Sequence, residues 1–414
     1  MNNLNRLLGP YGSPRQTAKT LKRHLNLEEM RRAAQRRLPR AVFGFIDGGT
    51  EDGIAVLNNR RAFHETKLRH RAVVDVSERS LASKLFGAAV GMPIAIAPTG
   101  SAGLCWYEGE LELAKAAAQA KIPFTLATGA LTSIERIAEQ AGPQVGGRLW
   151  FQLHVWRDRA ASYELIERAR QAKFETLIIT VDTPVSANRE YNFRNGFLQP
   201  FSVTPRLMAD IARHPRWFAQ VLTKYLTTTG MPASANYPRL PRDAAAQAAR
   251  ITAMRSDALT WDVVREIRRR WPGNLLLKGV NRADDAQHAI AAGLDGVIVS
   301  NHGGRNMDSA VAALEVLPEI ADAIGTRGTV ILDSGIRRGS DLVKALALGA
   351  RAVLIGRATL YGVAVGGAAG ASRVLDILRD EADRTMAYVG CRNVGEIDAD
   401  IVYRARDIEH RCMR

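Results

Sequence analysis

From residue 93 onward the chain alternates short, β-branched apolar runs with longer stretches of helical period, and this alternation restricts the fold more than any other feature. The strand candidates are 93–98, 123–128, 148–155, 176–182, 275–280, 296–301, 329–335 and 352–357. Helical patterns follow at 108–121, 133–141, 159–173, 257–270, 283–292, 313–324, 340–349 and 370–388. Such pairs predict an α/β fold around a parallel sheet, and eight of them close into a (β/α)8 TIM barrel more naturally than they spread into an open sheet. At 414 residues the chain has room for one barrel with additions. The barrel is expected over 93–390. Residues 1–92 form a helical extension packing on it, with a basic helix over 27–38 leading into AVFGFIDGG. Residues 185–256 form an insertion after the fourth strand, too long for an ordinary βα loop and therefore read as a lid or binding segment. Residues 391–414 form a C-terminal tail.

Hydrophobic residues at 46% and charged residues at 24% are ordinary for a soluble globular protein. The charge balance is less ordinary. Lys and Arg number 57 against 42 Asp and Glu, and a net +15 calls for an acidic partner: nucleic acid, an anionic membrane surface, or an anionic cofactor and substrate. Dispersed basic residues without a recognised motif speak against nucleic acid. Cys105, Cys391 and Cys412 are odd in number, widely spaced and without a CxxC, which argues against a disulfide framework or a metal site and fits a reducing cytoplasm. The N-terminus has no continuous apolar core of signal-peptide length. The longest apolar run, 87–104, is broken by Gly and Pro and reads as a buried strand with its turns.

Barrel active sites lie at the C-terminal ends of the strands, and here those ends are polar: Thr99, Thr128, Gln152 with His154, Thr180 with Asp182, Lys278, Ser300 with His302 and Arg305, Asp333 with Arg337, and Arg357. Gly335 and Gly356 follow strands seven and eight, where barrels bind phosphate on backbone N–H groups, with Arg337 and Arg357 available for charge-assisted bonds. Glycines at those places also serve simple tight turns. SNHGGRNMD (300–308) puts His302 and Arg305 on one Gly-rich turn. An imidazole can take a proton while the guanidinium forks onto a neighbouring carboxylate. Asp182 would orient His302 and stabilise its protonated form.

SNHGGR, LLLKGV, TVDTP, IAPTG and DSGIRRGSDLVKALALGA together resemble the FMN-dependent 2-hydroxy-acid oxidase/dehydrogenase family, which includes glycolate oxidase, L-lactate dehydrogenase and (S)-mandelate dehydrogenase. The likeness runs from about Leu38 to Gly390, and its C-terminal third is most similar to the mandelate and lactate dehydrogenases. It implies oxidation of a 2-hydroxy carboxylate to the 2-oxo acid, with flavin N5 as hydride acceptor. By the same resemblance His302 is the base, Asp182 its partner, Arg305 and Arg189 bind the substrate carboxylate, and Lys278 lies near flavin N1 and O2. Pro98, Thr99 and Gly100 border N5; Gln152, Thr180, Ser300 and the strand-two position Ala127 contact the flavin; Asp333, Ser334, Gly335, Arg337, Gly356 and Arg357 hold the ribityl phosphate. The resemblance also implies a homo-oligomer, a tetramer. The electron acceptor, whether oxygen, a quinone or a carrier protein, stays open.

Three positions depart from the family pattern. Phe45 and His154 stand where a Tyr is usual, and Ala127 where a Ser is common beside adjacent Thr128. Phe45, Gly100 and His154 therefore form the part of the substrate pocket where selectivity is open: tolerated variation in a lactate- or mandelate-type enzyme, or retuning for an unusual substrate. A non-redox phosphate-binding barrel and a chain whose catalytic power has decayed are the other readings. Residues 205–226 read as a basic helix with Leu, Ile, Trp and Phe on one side, suited either to a lid or to peripheral attachment at the inner face of a membrane, the latter favouring a quinone.

Overall fold

A computed structural model describes residues 20–197, 205–237 and 257–403. Eight parallel strands close into a barrel in chain order: β1 (Ile94–Ile96), β2 (Pro123–Ala127), β3 (Arg148–Leu153), β4 (Thr176–Thr180), β5 (Asn274–Val280), β6 (Gly296–Val299), β7 (Thr329–Leu332) and β8 (Ala352–Ile355). Alternate residues point to opposite sides, which divides the apolar positions between two cores. Ala95, Trp150, Ile178, Leu276, Ile298, Ile331 and Leu354 fill the barrel interior, while neighbours such as Leu149, Phe151, Leu275 and Leu277 face the helices. Every expected strand is present; β5 ends at Val280 as expected, and the other seven end one to three residues earlier than the apolar run does. In those seven the last residues of the run leave the sheet to form the mouth.

Helices α1 (Gly109–Gln119), α2 (Ile134–Ala141), α3 (Arg159–Gln171), α4 (Trp261–Arg270), α5 (Ala283–Ala291), α6 (Ala313–Ile324) and α7 (Gly339–Ala347) lie where the helical periods place them. The eighth differs from the expected 370–388. Helix α8 runs from Arg357 to Val389 and is broken at Gly366 and Gly367, whose backbone is non-helical. Its first half is thus a short extra helix beginning directly after β8 at Gly356. The two halves cross closely, since a Cβ on Gly370 would stand 2.0 Å from the Gly362 carbonyl oxygen.

Three N-terminal helices, Leu27–Arg37, Arg40–Asp47 and Ile54–Glu65, precede the barrel. The first is capped by Asn26, whose side chain accepts from the Glu29 N–H at 2.9 Å. The third helix and a hairpin of Ser83–Leu85 with Ala88–Val90 carried no separate sequence expectation. The hairpin supplies Leu85 and Val90 to the barrel interior, with Phe86 edge-on to Trp150 at 5.9 Å. It closes the end opposite the mouth. Past α8, Val402–Tyr403 pairs antiparallel with Lys67–Leu68.

In the insertion, helices Glu190–Asn195, Pro205–Ala212 and Thr223–Thr228 are joined near the last by a π-helical turn at Phe218–Leu222. Leu207, Ile211, Trp217, Val221, Leu222 and Tyr225 are buried, and the Trp217 indole donates to the Leu104 carbonyl at 2.7 Å. This apolar side packs toward the short helical turn Ala102–Leu104 that follows β1. Met208, Phe218, Leu226 and Met231 remain exposed. Among the described residues no helix is long and apolar enough to cross a membrane.

Candidate active site

The mouth of the barrel opens into a cavity of about 740 Å³ bordered by strand ends and by the insertion. The turn after β6 sets its chemistry. His302, Gly303 and Gly304 all have positive φ, at 58°, 67° and 70°. A Cβ at 303 would stand 2.6 Å from an Arg357 nitrogen, and one at 304 would stand 2.6 Å from the Val56 backbone nitrogen, so the two glycines admit side chain and backbone respectively. His302 carries the left-handed conformation as a non-glycine residue, held by its N–H donating to Ser300 Oγ at 2.9 Å.

His302 Nδ1 lies 2.9 Å from Asp182 Oδ1. With Nδ1–H donated to the carboxylate, Nε2 is left to accept a proton. Burial lowers the imidazole pKa below 6.5; Asp182 opposes this, and Lys278 and Arg189 reinforce it. Burial alone would raise Asp182, yet the nearby His302 and Lys278 outweigh it and bring the carboxyl to about 2. Asp182 fits against β5 because residue 279 is glycine: φ there is +103° and a Cβ would stand 2.5 Å from Asp182 Cβ. The sheet register shifts at the same point, between Lys278 and Val280.

Arg305 and Arg189 meet on the same side. Arg189 Nε donates to the Arg305 carbonyl at 3.1 Å and its Nη2 to Asn306 Oδ1 at 3.2 Å, while Asn306 Nδ2 donates to the Asp182 carbonyl at 2.8 Å. Arg305 Nη1 donates to the Gly48 carbonyl at 3.0 Å. Burial and the neighbouring Arg189 lower the Arg305 pKa to about 10. Two cations held this close, one of them in a buried site, make a receptor for an anion. Phe45 provides its apolar wall, with its ring stacked on Phe197 at 4.5 Å and 5.2 Å from the Arg305 guanidinium carbon. His154 borders the cavity, its Nδ1 3.3 Å from Thr183 Oγ1.

At the cavity floor Lys278 Nζ lies 2.9 Å from Asp333 Oδ2 and 3.0 Å from Ser300 Oγ, which itself donates to Asp333 at 2.6 Å. The Lys278 ammonium is raised despite burial, because Asp333 and Asp182 outweigh the desolvation. Asp333 is lowered: burial would raise it, and Lys278 with Ser300 prevails. Asp333 thus faces the lysine. Gln152 Nε2 donates to Thr180 Oγ1 at 2.9 Å, and Pro98, Thr99, Gly100 and Ala127 complete the adjoining wall. Ser334 has φ of 89° and accepts from the Gly303 N–H at 2.9 Å, tying the β7 turn to the β6 turn.

The remaining end is built for an anion. Gly356 is the N-cap of α8, so unpaired N–H groups of the first turn open toward the mouth. Arg357 donates to the Gly303 and Gly48 carbonyls, both at 2.7 Å, and its buried Nε has no partner. Gly335, with φ of 86°, packs on the Asn59 carbonyl of the third N-terminal helix. It therefore serves the turn and the packing together. Arg337 lies beside it, 6.0 Å from the Tyr361 ring.

Residues 34–404 match the family described as FMN-dependent dehydrogenase. The chain belongs to that family. (S)-Mandelate dehydrogenase of Pseudomonas putida is 41% identical over 376 residues, covering 91% of this chain and 93% of the relative. L-Lactate oxidase of a Nostoc species is 38% identical over 379 residues, covering 92% and 98%. The crystal structure of the monotopic membrane protein (S)-mandelate dehydrogenase superposes with a TM-score of 0.85 at 40% identity, over 92% of this chain and 99% of that one. As an FMN-dependent dehydrogenase the chain takes FMN, and the site fits it. An orphaned arginine nitrogen and a helix N-terminus suit a phosphate at one end, and a buried lysine offers a cation at the other.

Every site residue expected from sequence borders this cavity or, as with Asp182 and Ser300, bonds directly to one that does. Others carried no sequence expectation. Asn306 follows Arg305 directly and ties Arg189 to Asp182's strand end. Leu104, Leu131, Trp156 and Tyr237 also line the cavity and belong to none of the motifs. Tyr191 and Asn192 follow Arg189, and only their position beside it in NREYN could have singled them out.

Proposed function

We propose that this FMN-dependent dehydrogenase oxidises a 2-hydroxy carboxylic acid to the 2-oxo acid, with a lactate- or mandelate-like substrate as the best match. One observation carries the reading: a buried histidine–aspartate pair and two arginines converge on one cavity. Arg305 and Arg189 hold the substrate carboxylate, which sets the hydroxyl-bearing carbon beside His302. His302 accepts the proton at Nε2, whether it departs from carbon or from the hydroxyl, and Asp182 stabilises the imidazolium formed. FMN, held through its phosphate by the α8 N-terminus, Gly335, Arg337 and Arg357, supplies the two-electron acceptor when bound. Lys278 places a positive charge at the cavity floor, where it would stabilise negative charge on the bound cofactor. The described part of the insertion borders the mouth, the place from which it would limit access of water. Gly100 leaves room beside the β1 turn, since a Cβ there would meet its nearest neighbour at 3.6 Å, an ordinary contact. That space suits a substrate with a bulky side chain.

The test is anaerobic mixing of the yellow holoprotein with L-lactate, (S)-mandelate, glycolate and longer 2-hydroxy acids, following loss of flavin absorbance. Bleaching by acids but not by their methyl esters or amides is expected. Bleaching by acid and ester at equal rates would overturn the carboxylate role and with it the substrate class.

A peripheral membrane location is the second part of this reading. The outer side of the insertion exposes Phe193, Met208, Phe218, Leu226 and Met231 among Arg194, Arg213, Arg216 and Lys224, a surface suited to an anionic bilayer, and it would favour a quinone as electron acceptor. The holoprotein should sediment with vesicles of anionic lipid and not with zwitterionic ones, and Phe218→Asp with Leu226→Asp should release it. Equal recovery in the supernatant with both vesicle types would count against attachment.

A further inference from the structure

The carboxylate end of the site holds a hydroxyl that the mechanism above leaves unused. Tyr191 stands two residues past Arg189, in helix Glu190–Asn195, which packs on helix Arg40–Asp47. Its ring is pressed to the backbone so closely that a Cβ on Gly48 would stand 2.4 Å from the tyrosine Cζ, the carbon bearing the hydroxyl. Gly48 is also the residue whose carbonyl accepts from Arg305. The Tyr191 hydroxyl is therefore held at the guanidinium that the substrate needs. It is buried, interacts with Arg305, and yet makes no hydrogen bond of normal geometry. A buried hydroxyl without a partner is unusual enough in a folded protein to ask for a function.

The surroundings indicate which. Phe45, stacked on Phe197 beneath Arg305, offers the arginine no hydrogen bond. The Gly48 carbonyl is shared, because Arg357 donates to it as well. A guanidinium has five N–H donors, and those not directed at the carboxylate need acceptors if the fork is to keep one orientation. The phenol oxygen is an acceptor anchored by helix packing on the same side.

We propose that Tyr191 is a positioning residue for substrate binding: its hydroxyl accepts from Arg305 as the carboxylate docks and fixes the guanidinium fork, an acceptor that Phe45 does not provide. The proposal rests on the reading of Arg305 as the substrate-carboxylate arginine. Tyr191 acts through Arg305 and not on the reacting carbon. Its loss should therefore weaken recognition of the carboxylate while sparing the rate at saturation.

The experiment titrates the oxidised holoprotein with phenylglyoxylate, the 2-oxo acid of mandelate, and with phenylglyoxylamide, following the flavin absorbance. Flavin reduction by (S)-mandelate is measured on the same preparations. In Tyr191→Phe the dissociation constant for phenylglyoxylate should rise about tenfold, the scale of one lost hydrogen bond to a charged or neutral partner, with the amide unaffected. KM for mandelate should rise in parallel and kcat should hold within about threefold. Adding Phe45→Tyr to Tyr191→Phe should recover much of the loss, whereas Phe45→Tyr alone should gain less than about threefold, since Arg305 is already served. The single Phe45→Tyr variant keeps the test decisive even if Tyr191→Phe does not fold with FMN. Unchanged acid binding in Tyr191→Phe, an equal loss for acid and amide, or a tenfold gain from Phe45→Tyr alone overturns the proposal and leaves the substrate class intact. A native holoprotein that neither binds phenylglyoxylate nor is reduced by any 2-hydroxy acid overturns the substrate class, and this proposal falls with it.

Discussion

His302, the proposed base, is under two opposed effects, burial that favours the neutral ring and the Asp182 carboxylate that favours the charged one, and burial prevails. The neutral form is therefore populated at pH 7, and kcat/KM should be flat through neutrality and fall as pH drops through a value below 6.5. Removing the carboxylate in Asp182→Asn takes away the effect that raises this pKa. The acid limb should then move to lower pH, while the plateau drops because the imidazolium loses its counter-charge. A limb that moves upward would contradict the assignment. His302→Gln should slow flavin reduction by about 10²–10⁴-fold, the usual contribution of a general base, without loss of bound flavin. Arg305→Lys tests the fork separately. An ammonium keeps the charge but not the planar pair of donors, so reduction by acids should fall much further than charge conservation predicts, measured as kcat/KM for acid against amide.

At the scale of elements, the turn after β6 and the strand β5 depend on glycines whose need is set by distant chain. Gly304→Ala would put a methyl 2.6 Å from the Val56 backbone in a left-handed conformation, so the helix Ile54–Glu65 must move. Since that helix also buttresses Gly335, the variant should lose affinity for FMN together with stability, read by flavin retention on gel filtration. At the opposite end, Trp150 fills the barrel above the hairpin, fully buried, and donates to Glu175 at 2.7 Å. Trp150→Ala should cost about 3–5 kcal/mol in urea unfolding of the holoprotein, with KM nearly unchanged because the closed end lies away from the mouth.

For the whole molecule, FMN held as proposed would bridge parts of the chain that are far apart in sequence: β1 and β2 at one side, the α8 N-terminus at the other, and the Lys278 network between. A ligand that binds only the folded barrel stabilises it by mass action, about 2.7 kcal/mol at a free concentration one hundred times Kd. Tm should rise with added FMN and not with riboflavin at equal concentration, because riboflavin lacks the phosphate that Arg357 and the α8 N-terminus await. An equal rise with riboflavin would remove the phosphate site from the β7 and β8 turns.

How much of this was legible in the sequence follows from the range of the forces involved. Periodicity of 2 and 3.6 is a local signal, and it specified all eight strands, the order of the barrel and the polar residues at each strand end, since each strand stops within three residues of the end of its apolar run. The motif SNHGGR carried the base and an arginine together because a single turn holds both. Pairing across the fold was another matter. That Gly279 makes space for Asp182, that Asp333 turns to Lys278, and that a hairpin before β1 closes the barrel depend on contacts no local pattern encodes. The start of α8 was also hidden, because the glycines at 366 and 367 interrupt its helical period and mask the turn that presents N–H groups to the mouth. Tyr191 shows the division most plainly. Its neighbour Arg189 was visible by resemblance, but the unpaired hydroxyl beside Arg305 exists only once a helix of the insertion is laid on Gly44 and Gly48, where a Cβ would meet Asn195 and Tyr191.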